Sequence, residues 1–186
     1  MQTFLPYRDF VESARTLDTK RLGKQRVEVI QIIRALTWPD YAWKSHPAVL
    51  MWKGYEEALG RYGLTCCEVW VERGFDDTSA ATITADLAGA GITTIRSQEE
   101  LEAAGLIPVH FDEALLASHR SNLVRKDPEH YGPQFPGVDG DLPYVWPVRS
   151  PAVLAHEAAK TRREAARAAK AASQTGTVSK TSKTKE

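Results

Sequence analysis

The first candidate for chemistry in this chain is Glu28, which follows a densely basic stretch and precedes an apolar run. That stretch places four positive charges within seven residues, on Lys20, Arg21, Lys24 and Arg26. Cations at this density hold phosphate groups and a nearby carboxylate transfers protons, so the combination suits cleavage of a polyanionic strand. The alternative is an amphipathic helix with a solvated basic face, on which Glu28 only pairs with Lys24 four residues earlier.

The spacing around Glu28 resembles that of the pyrimidine-dimer DNA glycosylases of the phage endonuclease V type. Leu17 and the pair Arg21-Leu22 stand where this family has a leucine and then a basic residue followed by leucine. Glu28 stands at the position of the family's catalytic glutamate. The resemblance therefore implies that Glu28 is catalytic.

Later segments resemble the same family, so that the resemblance covers roughly residues 1–147. Residues 72–75, ERGF, resemble the turn that closes the family's long central helix. Arg120 resembles its DNA-contacting arginine, and residues 127–132, DPEHYG, resemble its Pro-aromatic-Gly segment. The common order of these motifs along the chain supports the resemblance.

The resemblance implies that the α-amine of the first residue attacks deoxyribose C1′, expels the base and forms a Schiff base. An α-amine has a pKa of about 7.7–8.0, against about 10.4 for a lysine side chain, so part of it is neutral and nucleophilic at neutral pH. Glu28 then stabilises the cationic sugar and moves protons for the strand-cleaving β-elimination. The phage enzyme begins with threonine after methionine removal, whereas a glutamine follows Met1 here and disfavours that removal. Met1 is the expected nucleophile, and the alternatives are Thr3, Lys20 and Lys24.

Cationic and aromatic side chains are expected to contact the DNA. The expected phosphate contacts are Arg21, Lys24, Arg26, Arg120 and Arg125. The candidates for stacking in DNA distorted by nucleotide extrusion are Tyr131, Tyr144 and Trp146, with a packed lid over the core as the alternative. Core packing is expected for Trp38, Tyr41 and Trp43, and a helix cap or core position for His46.

Charge is unevenly distributed although the formal net charge is zero. Residues 151–186 contain eight Lys/Arg against three Asp/Glu, a net charge of +5, which leaves −5 for residues 1–150 because the whole chain has 24 of each. Residues 8–34 are basic, with seven against four, while residues 56–112 are acidic, with three against eleven. The acidic middle would repel nucleic acid and so orient a strand bound at the basic helix.

Several classes of protein and site are excluded by the sequence. The N-terminus has no charged leader before an apolar segment, and no window approaches the ~18 apolar residues of a membrane span. Cys66 and Cys67 are adjacent, which predicts buried thiols on a helix and neither a disulfide nor a zinc site. The five histidines form no metal-binding pattern, so no metal or other cofactor is expected.

The pattern of apolar residues predicts an all-α protein: a single compact domain over residues 1–150, with about three main helices and long ordered loops, followed by a tail over residues 151–186. The three helices are expected at about residues 9–35, 46–75 and 112–124. The first has a possible break near Asp18, and the apolar stripe of the second is interrupted near Gly60 and Gly63. Residues 76–108 form an Ala/Gly/Thr-rich insert, and residues 126–147 form an ordered loop without regular structure. The tail is expected to begin as a basic, alanine-rich helix and to end in a disordered segment.

Taken together, these features predict a DNA repair glycosylase with abasic-site lyase activity that excises a pyrimidine dimer from double-stranded DNA. A monomer in the cytoplasm, associated with the nucleoid, is expected. Two alternatives remain open: a glycosylase for another damaged or modified base on the same scaffold, and a non-catalytic nucleic-acid-binding protein.

Overall fold

The computed structural model describes residues 1–148, 151, 154–155, 158–159 and 161–167, and all regular structure within these ranges is helical. The expectation of an all-α fold is therefore confirmed. The chain divides into two compact units, Met1–Val148 and Arg149–Glu186. In the second unit the described residues are helical and exposed, and the predicted disordered segment after residue 172 lies outside the described residues. Within the described part of the chain, no helix has the length and apolarity needed to cross a bilayer.

The first unit contains eight helices: α1 (Phe10–Thr16), α2 (Thr19–Thr37), α3 (Pro47–Leu50), α4 (Glu56–Glu72), α5 (Ser79–Gly89), α6 (Gln98–Ala103), α7 (Glu113–Lys126) and α8 (Pro128–Tyr131). The three longest are α2, α4 and α7, which correspond to the three main helices expected from the sequence. Helices α2, α4 and α5 pack against one another to form the centre of the core.

The expected break near Asp18 is confirmed, and it separates α1 from α2. Asp9 caps α1 by accepting a hydrogen bond from the backbone of Glu12, and Asp18 caps α2 in the same way from Arg21. Such caps satisfy backbone N–H groups that have no partner inside the helix. Leu17, between the two helices, is extended and buried. Helix α2 can therefore start in a new direction, which sets where its basic face points.

Two expectations, for residues 46–75 and 126–147, were wrong, and the insert, for which no structure was predicted, is helical in part. The helix predicted for residues 46–75 is divided into α3 and α4 by a turn, the insert at residues 76–108 contains α5 and α6, and the loop at residues 126–147 contains α8. Helix α5 belongs to the core because it contributes the buried side chains of Ile83 and Leu87.

Helix α4 is continuous through Gly60 and Gly63, where the apolar stripe was expected to be interrupted. A Cβ added at Gly63 would lie 2.6 Å from Val29 Cγ1 on α2 and 2.9 Å from Ile83 Cδ1 on α5. The glycine therefore lets α4 approach both neighbours closely, a packing benefit that exceeds its low helix propensity. Cys66 and Cys67 are free and buried on the same helix, as predicted. Burial raises the pKa of Cys66 to about 12, which keeps this thiol protonated.

Candidate active site

A cleft of about 430 Å³ lies between the N-terminal segment, α2 and the end of α7. Its lining comprises Met1, Gln2, Phe4, Lys20, Arg21, Lys24, Gln25, Glu28, Lys126 and Tyr144. The cleft thus brings together both predicted catalytic residues, Met1 and Glu28, and two of the predicted phosphate contacts, Arg21 and Lys24. We refer to it as the Glu28 cleft.

Glu28 is buried in this cleft, with 6% of its surface exposed. Its Oε2 accepts a hydrogen bond from the backbone nitrogen of Gln2 at 2.5 Å. Its Oε1 lies 3.5 Å from Nζ of Lys24, whose side chain is 71% exposed. The predicted pairing with Lys24 therefore exists, but Glu28 does not lie on a solvated face. The carboxylate faces the start of the chain.

The cations of the cleft follow from the geometry of α2. Lys20, Lys24 and Glu28 are spaced four residues apart, which places them on one face of a helix with 3.6 residues per turn. Lys126 joins them from the end of α7. Both Lys20 and Lys126 are exposed, so their ammonium groups are accessible to a phosphate backbone.

Residues 2–5 are buried although they form neither helix nor strand. A buried extended segment leaves its backbone N–H and C=O groups without regular partners, and leaving them unpaired would be costly. Gln25 supplies two of the missing partners. Its Nε2 donates to the carbonyl of Gln2 at 3.0 Å, and its Oε1 accepts from the backbone N–H of Phe4 at 2.8 Å.

Four further side chains hold the same segment. Tyr62 donates its hydroxyl to the Phe4 carbonyl at 2.8 Å, and the Trp52 indole donates to the Thr3 hydroxyl at 2.9 Å. Nδ1 of His119 accepts from the backbone of Leu5 at 2.9 Å, and Arg120 donates to the Pro6 carbonyl at 2.8 Å. We call the five side chains the N-terminal clamp: Gln25, Trp52, Tyr62, His119 and Arg120. The clamp fixes residues 2–6, so the position from which Met1 enters the cleft is also fixed.

His119 is fully buried and contributes the imidazole of the clamp. Burial lowers its pKa from 6.5 to about 3, and the hydrogen bond from Leu5 opposes this shift only in part. The imidazole is therefore neutral at neutral pH, and its Nδ1 is free to accept a hydrogen bond.

This burial predicts a loss of stability in acid. The folded protein disfavours the charged ring. Between pH 6.5 and about pH 3, the unfolded chain therefore binds a proton at His119 that the folded protein does not bind. The free energy of unfolding should fall by up to about 1.4 kcal/mol per pH unit in this window. Urea denaturation at pH 7.5, 6.5, 5.5 and about 4.5 would measure it.

His119→Asn provides the comparison, because Asn retains an acceptor for the Leu5 N–H and does not titrate. The pH dependence of stability above pH 4.5 should be shallower in His119→Asn than in the wild-type protein. Equal slopes would contradict a role of His119 in acid sensitivity.

Arg26, a predicted phosphate contact, lies outside the cleft. It is two residues from Lys24, which corresponds to about 200° around a helix and so to the opposite face. Its guanidinium pairs with Asp77, stacks 4.0 Å from the centroid of the Trp70 ring, and has a side chain only 12% exposed. This arginine holds the start of the insert against α2.

Tyr131, a predicted stacking residue, is fully buried. Its hydroxyl donates to Oδ2 of Asp18 at 2.6 Å and accepts from the Asp18 backbone at 3.0 Å. Burial would raise the pKa of Asp18, but hydrogen bonds from Tyr131 and Arg21 outweigh it and lower the value to about 2. Arg21 also lies 3.5 Å from Asp127. In this structure Tyr131 therefore has the packed position that was the alternative to stacking, and Arg21 links α2 to α8 at the edge of the cleft.

The other two predicted arginines also lie outside the lining of the cleft. Arg120 belongs to the N-terminal clamp and pairs with Glu113. Arg125 is exposed and bonds to Asn122. Sequence reasoning missed Gln25 and Lys126. The sequence did contain a signal for Gln25. It is a polar residue on the face of α2 that is otherwise apolar and buried, as at Leu22 and Val29.

The aromatic residues after α2 do not all pack in the core. Trp38 is 43% exposed and Trp43 is 64% exposed, so the expectation for these two was wrong, while Tyr41 is half-buried against the core. His46 caps α3 by accepting from the backbone of Ala48 at 3.1 Å, which confirms one of its two expected roles. Its pKa is lowered, first by burial and then by the positive charge of the N-terminal amine. The ring of His46 is therefore near enough to the N-terminal amine to be affected by its charge.

Trp43 also has an unusual backbone. Its φ is +71°, and it is the one non-glycine residue with positive φ in the described part of the chain. The left-handed region costs an L-residue roughly 1–2 kcal/mol and is normally occupied by glycine or asparagine. The chain therefore has a large exposed ring at a position where glycine would be unstrained.

Among the described residues, no group of three or more His, Cys, Asp or Glu side chains is arranged to hold a metal ion. The chemistry available in the Glu28 cleft is that of an amine, a carboxylate and several cations.

Comparison with known protein families gave a match at the N-terminal end of the chain. Residues 1–83 match the sequence model of the pyrimidine dimer DNA glycosylase family, and this range includes Met1, α2 and Glu28. Comparisons with curated proteins and with solved structures gave no match. The resemblance read from the residues around Glu28 is confirmed, while the motifs from Arg120 onwards lie beyond the matched range. Over its first 83 residues, the chain thus matches the pyrimidine dimer DNA glycosylases, a family of enzymes whose substrate is DNA.

Proposed function

We propose that this protein excises a damaged pyrimidine from double-stranded DNA and cleaves the resulting abasic site in the Glu28 cleft, without a cofactor. The observation that carries the proposal is the N-terminal clamp. Five side chains from three helices and the turn after α3 are used to fix residues 2–6 beside a buried carboxylate. Such fixation is expected where the start of the chain must be held within a fraction of an ångström of a reacting atom.

In the proposed reaction the neutral α-amine of Met1 attacks C1′ of the damaged nucleotide. A bond forms between nitrogen and C1′, the glycosidic bond breaks, and the base leaves with the bonding electrons. Ring opening gives a protonated Schiff base. Loss of a proton from C2′ then expels the 3′ phosphate by β-elimination, and water hydrolyses the remaining C=N bond, which frees the amine of Met1 and leaves the sugar as an aldehyde. Glu28 stabilises the cationic sugar and moves these protons, a role for which its buried oxygens beside the N-terminal segment are suited.

Gln2 offers a second candidate for the nucleophile. Its backbone nitrogen donates to Glu28 Oε2 at 2.5 Å. In a chain processed by removal of Met1, that nitrogen would be the α-amine and would already contact the carboxylate. We favour Met1 because a following glutamine disfavours methionine removal. Mass spectrometry of the intact protein decides between the two.

The lysines of the cleft should bind phosphate groups of the DNA. Replacing Lys20, Lys24 and Lys126 by alanine should weaken binding to all DNA sequences. The dependence of log affinity on log salt should become shallower by about 0.9 for each phosphate that the protein no longer neutralises. Fluorescence anisotropy with a labelled duplex at several salt concentrations would measure both effects.

A matched control removes the same amount of charge elsewhere. Arg8, Arg15 and Arg73 lie outside the cleft and contact Glu102, Glu72 and a backbone carbonyl, respectively. Alanine at these three positions should leave the salt dependence nearly unchanged. A salt dependence that is equally reduced in both triple variants would show that the cleft is not the DNA-binding surface.

The proposed activity is tested with three duplexes that differ only in one nucleotide: a pyrimidine dimer, an abasic site and an undamaged pyrimidine. In buffer containing EDTA, the first two should be cleaved and the third should not. Cleavage of the abasic duplex alone would favour a glycosylase for another base. Tight binding of all three without cleavage would favour the non-catalytic nucleic-acid-binding protein.

A further inference from the structure

A continuous series of aromatic rings leads from the Glu28 cleft to the protein surface. Tyr144 lines the cleft, and its ring centroid is 5.5 Å from that of Trp146. Trp146 is followed by His46 at 6.1 Å, and His46 by Trp43 at 5.9 Å. We call these four rings the aromatic row. Burial decreases along it, from half-buried Tyr144, Trp146 and His46 to Trp43, which is 64% exposed.

We propose that the aromatic row is a binding surface for nucleobases, on which unstacked bases next to the lesion lie, with Trp43 as the outermost stacking ring. This inference rests on the proposed function, because it takes DNA to be bound in the Glu28 cleft.

The charge beside the row identifies its partner. At the inner end, the cleft has the cations of Lys20, Lys24 and Lys126 around one buried carboxylate, a composition complementary to phosphate. A nucleic-acid strand offers both chemistries that this surface needs, since its phosphates match the lysines and its base faces match the rings. The loop that holds Trp43 has one acidic and one basic residue, Asp40 and Lys44, so it adds no net repulsion.

The backbone of Trp43 supports the same inference. A ring that served only to cover the core would be buried, and an exposed loop position with φ of +71° is most easily occupied by glycine. The fold instead presents a large ring to solvent at a strained position. Strain of this kind is found where a side chain must be held in place for binding.

The test is Trp43→Gly, which removes the ring and relieves the backbone. Binding is measured by anisotropy on a duplex containing a tetrahydrofuran abasic analogue, which the amine cannot convert to a Schiff base. Stacking of one base on an aromatic side chain corresponds to about a 5-fold to 160-fold change in affinity. We expect Kd to rise within this range, the salt dependence to stay unchanged because the lysines still neutralise the same phosphates, and the melting temperature to stay equal or rise.

Two further variants make the result specific. Trp43→Phe keeps a flat ring and should recover most of the affinity. Trp38→Ala removes another exposed tryptophan of the same loop, whose ring contacts Arg34 and Tyr41 and not the row, and should leave Kd unchanged.

Three results would overturn the inference. An unchanged Kd in Trp43→Gly would show that the ring does not contact DNA. A clearly lower melting temperature would show that the ring is structural. Self-association of the wild-type protein that disappears in Trp43→Gly would show that the ring contacts a second copy. The analogue reports binding alone, so the two proposals can fail separately. If the wild-type protein binds the analogue through Trp43 but cleaves no substrate, the proposed activity is refuted and this inference stands.

Discussion

Glu28→Gln should abolish strand cleavage while leaving the fold and DNA binding intact. The amide keeps an oxygen that can accept the Gln2 N–H, so the N-terminal segment stays in place, but it cannot hold charge or take up a proton. General acid and base catalysis contributes about 10²–10⁴-fold, so the rate of cleavage of an abasic duplex should fall by at least about 100-fold. Single-turnover kinetics with protein in excess would measure this rate.

Binding and stability distinguish a catalytic role from a structural one. Loss of a negative charge beside Lys24 should leave phosphate binding unchanged or tighter. Glu72→Gln is the matched control, because Glu72 is an exposed glutamate on α4 that pairs with Arg15 outside the cleft. Full cleavage by Glu28→Gln would remove its catalytic assignment, and a large fall in melting temperature would indicate a structural role.

Moving the N-terminal amine by one residue should also abolish the reaction. Inserting one glycine after Met1 creates a small second residue, so the methionine is removed and glycine takes the place of Met1. The amine then keeps its position and cleavage should persist. Inserting two glycines shifts the amine by one residue, about 3.5 Å, and misplacement by about 1 Å already costs about 100-fold.

Borohydride trapping identifies the attacking nitrogen in the same experiment. Reduction during turnover should yield a covalent adduct with the wild-type and one-glycine proteins, and peptide mapping should place it on the first residue. An adduct on Gln2 of the wild-type protein would indicate removal of Met1. An adduct on Lys20 or Lys24 would contradict an N-terminal nucleophile, and the absence of any adduct would favour a non-catalytic binder.

The residues around Glu28 were the most predictable part of the site. Lys20, Lys24 and Glu28 recur at helical spacing, and side chains four residues apart share a face in any helix. Their common position therefore needed no knowledge of the tertiary structure. The capping carboxylate of Asp18 was also visible in the sequence as a break between two helices.

The partners of the other cations could not be predicted in this way. Arg26 pairs with Asp77, 51 residues away, and Arg120 bonds to the Pro6 carbonyl, 114 residues away. Periodicity tells which side chains share a face, but not which distant element that face meets. The same limit explains why Tyr131 was a stacking candidate. Its segment, with many prolines and glycines, was expected to be a loop, whereas its hydroxyl bonds to Asp18 in the interior.

The N-terminal clamp has a consequence for the order in which the protein is made. Residues 2–5 leave the ribosome first, whereas His119, the partner of Leu5, follows 114 residues later. During most of synthesis the start of the chain therefore has no docking site and stays accessible to processing enzymes. Closing so long a loop is also entropically costly, which favours seating of this segment late in folding. The proposed nucleophile would thus be brought to its carboxylate only in a nearly complete molecule, and incomplete chains would not carry the assembled site.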